Sequence, residues 1–233
     1  MKKKLIALSV ALVLFVSALL GGTYAFLIDT DYDKNVMVVG NVEIQQIEKD
    51  RNDNDFVQNQ KLLPAVYTTA PVAGDNTVWD SELTNEIDKF VSVKNTGSEK
   101  AYIRTIFLFE DDLGEDGIDL VHCNYNNDDG QGLEWLAEPV EIGGVDFYVA
   151  YATYDTEIDN GETTPVSLKQ IYLDASAGNE WFNGVGNQYD IHVFSQAVQY
   201  EGFANAKTAL NTAFGEVTAD NVIDWYNEIN ANP

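Results

Sequence analysis

Few side chains in this sequence could do chemistry, and their spacing limits what that chemistry would be. The two histidines, His122 and His192, are far apart. A catalytic zinc needs at least three good ligands, usually with an H-E-x-x-H pair on one helix face. Neither histidine sits in such a pattern, and His192 alternates with Ile191 and Val193 in a strand-like run, so a structural or surface imidazole is expected. Ser195 follows Phe194 without the glycine elbow that presents a nucleophile. Cys123, the single cysteine, adjoins His122, but neighbours on a strand point to opposite faces, so the thiol is expected to be inert. The acidic residues Asp111, Asp112, Glu115, Asp116, Asp128 and Asp129 supply oxygens without the D-x-[DN]-x-[DN]-G loop of a calcium site. Solvated loop is the expectation there, with weak calcium binding left open. Trp79, Trp135, Trp181 and the twelve tyrosines could stack on sugar rings, although most rings of a β protein fill its core. No catalytic residue, cofactor or metal site is assigned, and the reading is of a non-enzyme.

One reaction is nevertheless written into the chain. MKKK is a basic patch, Leu5 to Leu20 is almost wholly apolar, and Gly21, Gly22, Thr23 and Ala25 are small, which is the order of a secretory signal. The apolar run is shorter than the roughly 20 residues of a spanning helix, although extending it to Leu27 would reach that length, so a signal anchor is the alternative. Thr23 and Ala25 place small side chains at the third and first positions before a cut between Ala25 and Phe26. The expected layout is a signal over 1–25, an N-terminal strand segment over 26–48, a β domain over 49–200 and helices over 201–233.

The charge bounds the partners. The chain carries 13 Lys plus Arg against 38 Asp plus Glu, a net −25, and the leader would take Lys2, Lys3 and Lys4 with it. Nucleic acid needs a basic face and is excluded as a partner. With one cysteine there is no internal disulfide, so stability must come from the core. No second apolar run or basic sorting tail appears near the C-terminus, so the membrane is met only through the leader before it is cut.

The elements that must hold these residues are mostly strands. Residues 36–48, VMVVGNVEIQQIE, read as one strand with Val36, Val38, Val42 and Ile44 on one face. KDRNDNDFVQNQK reads as loop, and residues 64–86 as a long irregular excursion. Residues 87–110 read as two strands joined at Asn95-Thr96-Gly97-Ser98, where Gly97 can take a positive φ. The second of them, Tyr102 to Phe109, is apolar on both faces and is expected to be central. Residues 110–132 read as acidic loop with a short strand around 118–121. Residues 145–155, 161–174 and 188–200 complete the strands, with Pro165 at a strand start or edge. Such strands without intervening helices indicate an antiparallel sandwich or barrel. The period changes only at the end. Phe203, Ala206, Leu210, Ala213 and Phe214 form one helical stripe stopped by Gly215; Val222, Trp225, Tyr226 and Ile229 form a second after Thr218 as N-cap.

The leader end GGTYAFLIDTD followed by VMVVGNVEI resembles the N-terminus of the TasA/camelysin family of secreted proteins of Gram-positive bacteria. Those have a G-G-T-x-A-[FY] cleavage region and then a small-residue strand, matched here at Met37, Gly40, Val42 and Ile44. FVSVKNTGSEKAYIR is similar to the family's strand, N-T-G turn and strand, while GETTPVSLKQIYLD and the helix after SQAVQYEGF are weaker matches. The resemblance touches about half of the chain; the acidic loop material of 110–132 and the C-terminal helices depart from it. It implies a jelly-roll β-sandwich, export through a signal peptidase of the W type, and service in a biofilm matrix or on the cell surface. It also implies assembly into a homo-oligomer or fibre, with other matrix proteins as further partners. In such fibres the processed N-terminal segment completes the sheet of the next subunit. The candidate donor residues are Phe26, Leu27, Ile28, Val36, Val38, Val42 and Ile44. Two other classes stay open: a monomeric surface domain that binds a glycan or protein with its N-terminal strand in its own sheet, and a camelysin-like metallopeptidase.

Overall fold

The computed structural model describes residues 25–28, 36–39, 42–69, 77–80, 85–111, 120–126, 132–177 and 188–231. The expected leader before Ala25, the acidic residues Asp112, Glu115, Asp116, Asp128 and Asp129, and Trp181 lie outside them. Among the described residues no helix is long and apolar enough to cross a membrane.

The fold is mainly β. Its strands are β1 (Ala25–Ile28), β2 (Val36–Val39), β3 (Ile44–Lys49), β4 (Gln60–Leu62), β5 (Ile87–Asp88), β6 (Phe90–Asn95), β7 (Ala101–Glu110), β8 (Val121–Tyr125), β9 (Glu134–Trp135), β10 (Val140–Ile142), β11 (Val145–Thr153), β12 (Leu168–Leu173) and β13 (Gln188–Gln199). Two helices follow, α1 (Ala206–Phe214) and α2 (Ala219–Ala231). A large sheet runs β10-β11-β7-β13-β1-β4, with β2 also on β13 and β9 on β11; two smaller sheets run β5-β12-β8 and β3-β6.

The large sheet is covered on both faces. On one, Phe107, Phe109, Ile191 and Val193 pack with Val91, Leu168 and Ile171 of the smaller sheets, and Ile103 and Ala197 pack with Ile44 and Val93. On the other, Ile106, Leu108 and Phe194 meet Val222 and Trp225 of α2, while Tyr102 and Val198 meet Ala206, Ala209 and Leu210 of α1. β7 is therefore buried along nearly its whole length, as its two apolar faces require. Each fully buried Leu, Ile or Phe contributes about 1.5–3 kcal/mol, and β7 with its neighbour β13 carries the densest run of them. The helices form where the stripes predicted. Asn205 caps α1 by accepting from Thr208 N, Gly215 ends it at φ 93°, and Thr218 Oγ1 accepts from Asn221 N at the start of α2.

Five expectations are corrected. Residues 36–48 are not one strand: β2 lies on β13 in the large sheet, whereas β3 pairs with β6. Val38 is 44% exposed while Val42 and Ile44 are buried, so the supposed common face is split between layers. The strands around Asn95–Ser98 are both present, but β6 pairs with β3 and β7 with β11 and β13, so the turn is a corner between sheets. Gly97 is not among the positive-φ glycines; it is needed because a Cβ there would come within 2.6 Å of Glu43 N. The sheets are not wholly antiparallel, since β1 and β2 run parallel to β13; the other ladders between described strands are antiparallel. The short strand placed near 118–121 lies at Val121–Tyr125, where it pairs with β12.

Candidate strand-docking site

The N-terminal residues singled out in the sequence come together along one edge of β13. β1 pairs parallel with its first residues, Phe26 with Gln188, Leu27 with Tyr189 and Ile28 with Asp190. On its other side β1 pairs antiparallel with β4, Ala25 with Leu62, Phe26 with Lys61 and Leu27 with Gln60. It is thus an inserted strand with a partner on each side. β2 continues on the same edge, from Val36 opposite Ser195 to Val39 opposite Val198. Ile28 and Val36 are eight positions apart where Asp190 and Ser195 are five apart, so the two segments register on β13 independently.

The free donor ribbon expected from the sequence is docked here in its own molecule. The physical reason is an unsatisfied edge: without β1 and β2, β13 would present a row of bare backbone N–H and C=O groups beside a buried core. Met37 packs toward the helix-covered cluster and Val36 toward the cluster between the sheets. Val42 and Ile44 do not share this site. Cleavage after Ala25 would leave Phe26, already in register with Gln188 and Lys61, as the first residue.

What holds the far end of the ribbon is the N-T-G corner. Thr96 N and Gly97 N both donate to Glu43 O, at 2.9 and 3.0 Å. Asn95 ties the corner together: its Oδ1 accepts from Gly97 N at 3.1 Å, and its Nδ2 donates to Glu99 O and Ile158 O. The chain is therefore pinned at Val42–Glu43, between a segment that lies on β13 and one that belongs to the opposite layer.

Three ionisable groups lie along β13 and its neighbour β7. Glu110 Oε2 accepts from Asp190 N at 3.0 Å, beside the last β1 pair. Burial raises its carboxyl above the usual range, against the pull of that bond, and the neighbouring Asp190 charge adds to the rise. His192 lies under α2 between Phe147 and Tyr226, with ring centroids at 5.4 and 5.1 Å, and burial lowers its imidazole. Arg104, 2% exposed, sits beside β13 with neutral acceptors. Its Nε and Nη2 reach Gln196 Oε1, Nη1 reaches Asn211 Oδ1 at 3.1 Å, Nη2 reaches Gly215 O at 3.3 Å, and the guanidinium lies 5.1 Å from the Trp225 ring. Desolvation lowers it to about 10. It fastens the C-terminal end of α1 and the face of α2 to the sheet.

The other candidates fall apart. His122 lies 3.3 Å from Asp174 and stacks on Tyr172, remote in the fold from His192 on β13. Among the described residues no group of three or more His, Cys, Asp or Glu is placed to hold a metal ion. Cys123 packs against the main core cluster, and burial pushes its thiol up to about 12. Ser195 is buried and engaged by Gln46 and Thr105. Trp79 is buried edge-on against Tyr172, while Trp135 is 40% exposed and stacks on Phe109 at 5.5 Å. Sequence reasoning missed β4, the outer wall of the slot, because three residues inside a polar run carry no readable period.

No protein-family model, no curated protein and no solved structure matches this chain.

Proposed function

We propose that this chain is an exported, non-enzymatic structural protein of the TasA/camelysin kind, with a jelly-roll β domain, that assembles outside the cell into fibres. Its leader is removed after Ala25, and the processed ribbon then fills in a neighbouring copy the slot it fills in its own. The observation that carries the reading is the position of β1, held between β13 and β4 with pairing on both sides. A strand leaving that position exposes two rows of backbone groups, and an identical strand from another copy restores both in the same register. Such donation is head-to-tail and does not close on itself, so it propagates a filament.

The moving part is the segment up to Val39. Val42 onward stays as the anchor, because it is clamped by the N-T-G corner and continues into β3. An incoming strand must run parallel to β13 and antiparallel to β4, which fixes the polarity of the filament. The assembly is a homopolymer that needs no metal or cofactor, and other matrix proteins can enter by presenting the same strand.

Electron microscopy of protein beginning at Phe26 tests this directly. Filaments are expected, and removal of residues 26–39 should abolish them; filaments that persist without that segment would remove the mechanism. A second reading, a monomeric surface-binding domain, is favoured by the pairing of the ribbon within its own chain and by the partly exposed Trp135 ring. Glycan binding that is lost in Trp135→Ala, by a protein that never assembles, would select it.

A further inference from the structure

The space between the large sheet and β3 holds polar groups where apolar ones would be expected. Gln46 and Glu48, on the inward face of β3, are 2% exposed, and Lys89, between β5 and β6, is wholly buried. Glu48 touches both of the others. Its Oε2 accepts from Lys89 Nζ, and its Oε1 accepts from Gln46 Nε2 at 2.7 Å. Gln46 Nε2 also donates to Val193 O at 3.3 Å. The Gln46 carbonyl oxygen faces away from the carboxylate and accepts from Ser195 Oγ at 2.9 Å; Ser195 is in turn 3.1 Å from Thr105 Oγ1. The Lys89 ammonium lies 4.2 Å from the centre of the Phe56 ring.

These groups hold the parts of an amide exchange. A primary amine is next to a carboxylate, that carboxylate holds the nitrogen of a carboxamide, and a hydroxyl donates to the carboxamide oxygen. We propose that Lys89 and Gln46 form an intramolecular isopeptide bond, with Glu48 as proton shuttle. The Lys89 ammonium gives a proton to Glu48, and the amine lone pair attacks Gln46 Cδ. Charge developing on Oε1 is met by the Ser195 hydroxyl, as an oxyanion donor would meet it. The Nζ–Cδ bond forms and the Cδ–Nε2 bond breaks, with the protons lost by Nζ carried through Glu48 to Nε2. Ammonium leaves, Glu48 returns to a carboxylate, and no oxidant or external reactant is consumed. Burial favours the step, because an ammonium–carboxylate pair withdrawn from water lies closer in energy to its neutral amine–acid form. Fixed neighbours also replace a bimolecular encounter with an intramolecular one.

The bond would tie β3 to the chain entering β6, closing the loop between them in a protein whose single cysteine cannot form an internal disulfide. It does not depend on the fibre reading.

Intact mass spectrometry of the purified, denatured chain tests it. The expected result is a mass one ammonia below that of the sequence, with a branched peptide joining Gln46 and Lys89 in a digest. Glu48→Gln keeps both partners and should restore the full sequence mass, with circular dichroism confirming that the variant is folded. A wild-type chain at full mass would overturn the proposal and leave the cluster as a buried ion pair. A loss of one water, with the branch at Glu48, would also overturn it, since the electrophile would then be the carboxyl. Because the wild-type mass is decisive alone, a variant that fails to fold does not shelter the proposal.

Discussion

Gly97→Ala bears on the hinge of the N-terminal ribbon and separates a steric effect from a conformational one. Gly97 is not at positive φ, so alanine carries no backbone strain of its own there. The added Cβ would sit 2.6 Å from Glu43 N and 3.3 Å from Val42 C and Cα. All three are backbone atoms, so no side chain can swing aside. Either the corner or the ribbon must withdraw, and both bonds to Glu43 O stretch together. Two backbone hydrogen bonds are worth about 0.5–1.5 kcal/mol each, and overpacking adds about 1–3 kcal/mol. A net loss of about 2–6 kcal/mol is expected, read from urea denaturation with an unchanged slope. Gly143→Ala is the control: its φ is +66° with nothing near the added Cβ, so a loss of about 1 kcal/mol from conformation alone is expected. Hydrogen exchange should quicken over residues 42–48 in the Gly97 variant and stay unchanged in the control. A Gly97→Ala loss below that of the control, or protection unchanged over 42–48, would refute the pinning of the ribbon by this corner.

Arg104→Met weighs two opposing terms. The drop to about 10 corresponds to a desolvation cost of about 3 kcal/mol that methionine would relieve, while Gln196, Asn211 and Gly215 would lose a charged donor worth roughly 1.5–3 kcal/mol apiece. The bonds win by about 1.5–6 kcal/mol, read by denaturation, and α1 and α2 should lose exchange protection before the sheet does. Arg104→Lys should fare no better, since one ammonium keeps the burial and cannot span three acceptors. Burial lowers the folded imidazole of His192 below its unfolded value of 6.5, so the unfolded chain binds more protons and stability falls as pH drops from 6.5 through the folded value. His192→Gln should flatten that part of the stability curve. Glu110 has the opposite sign: its raised carboxyl binds a proton more tightly in the fold, so stability falls as pH rises from 4.5 through the folded value, and Glu110→Gln should remove that slope.

Much of this architecture was legible because packing imposes a period. β7 shows two apolar faces and is buried on both, and the first helix ends at Gly215 and the second begins after Thr218, as read. The illegible parts are those where residue type hides the face. Gln46 and Glu48 keep the alternation that buries Ile44, but as polar residues they do not mark it, and Lys89 and Ser195 meet them inside. The split between β2 and β3 could not be read, since valines and isoleucine on a common period fit one sheet as well as two. The reason for glycine at 97 lies in Glu43, a residue distant in sequence whose approach only the folded chain reveals. The candidate ribbon was visible as apolar residues after an expected cleavage point, but its partners β4 and the start of β13 were not, because pairing partners leave no mark in one sequence.

The central claim is that the strand lying on β13 can come from another molecule. Val38 and Ala197 are opposite each other in the parallel register, and neighbouring strands are about 4.8 Å apart, within disulfide reach. Val38→Cys with Ala197→Cys, in a Cys123→Ser background starting at Phe26, should be assembled, oxidised and then denatured without reductant. Exchange predicts chains joined into covalent multimers in the filament fraction, and single closed chains in the monomer fraction. Filaments that dissolve into single internally bridged chains would contradict it.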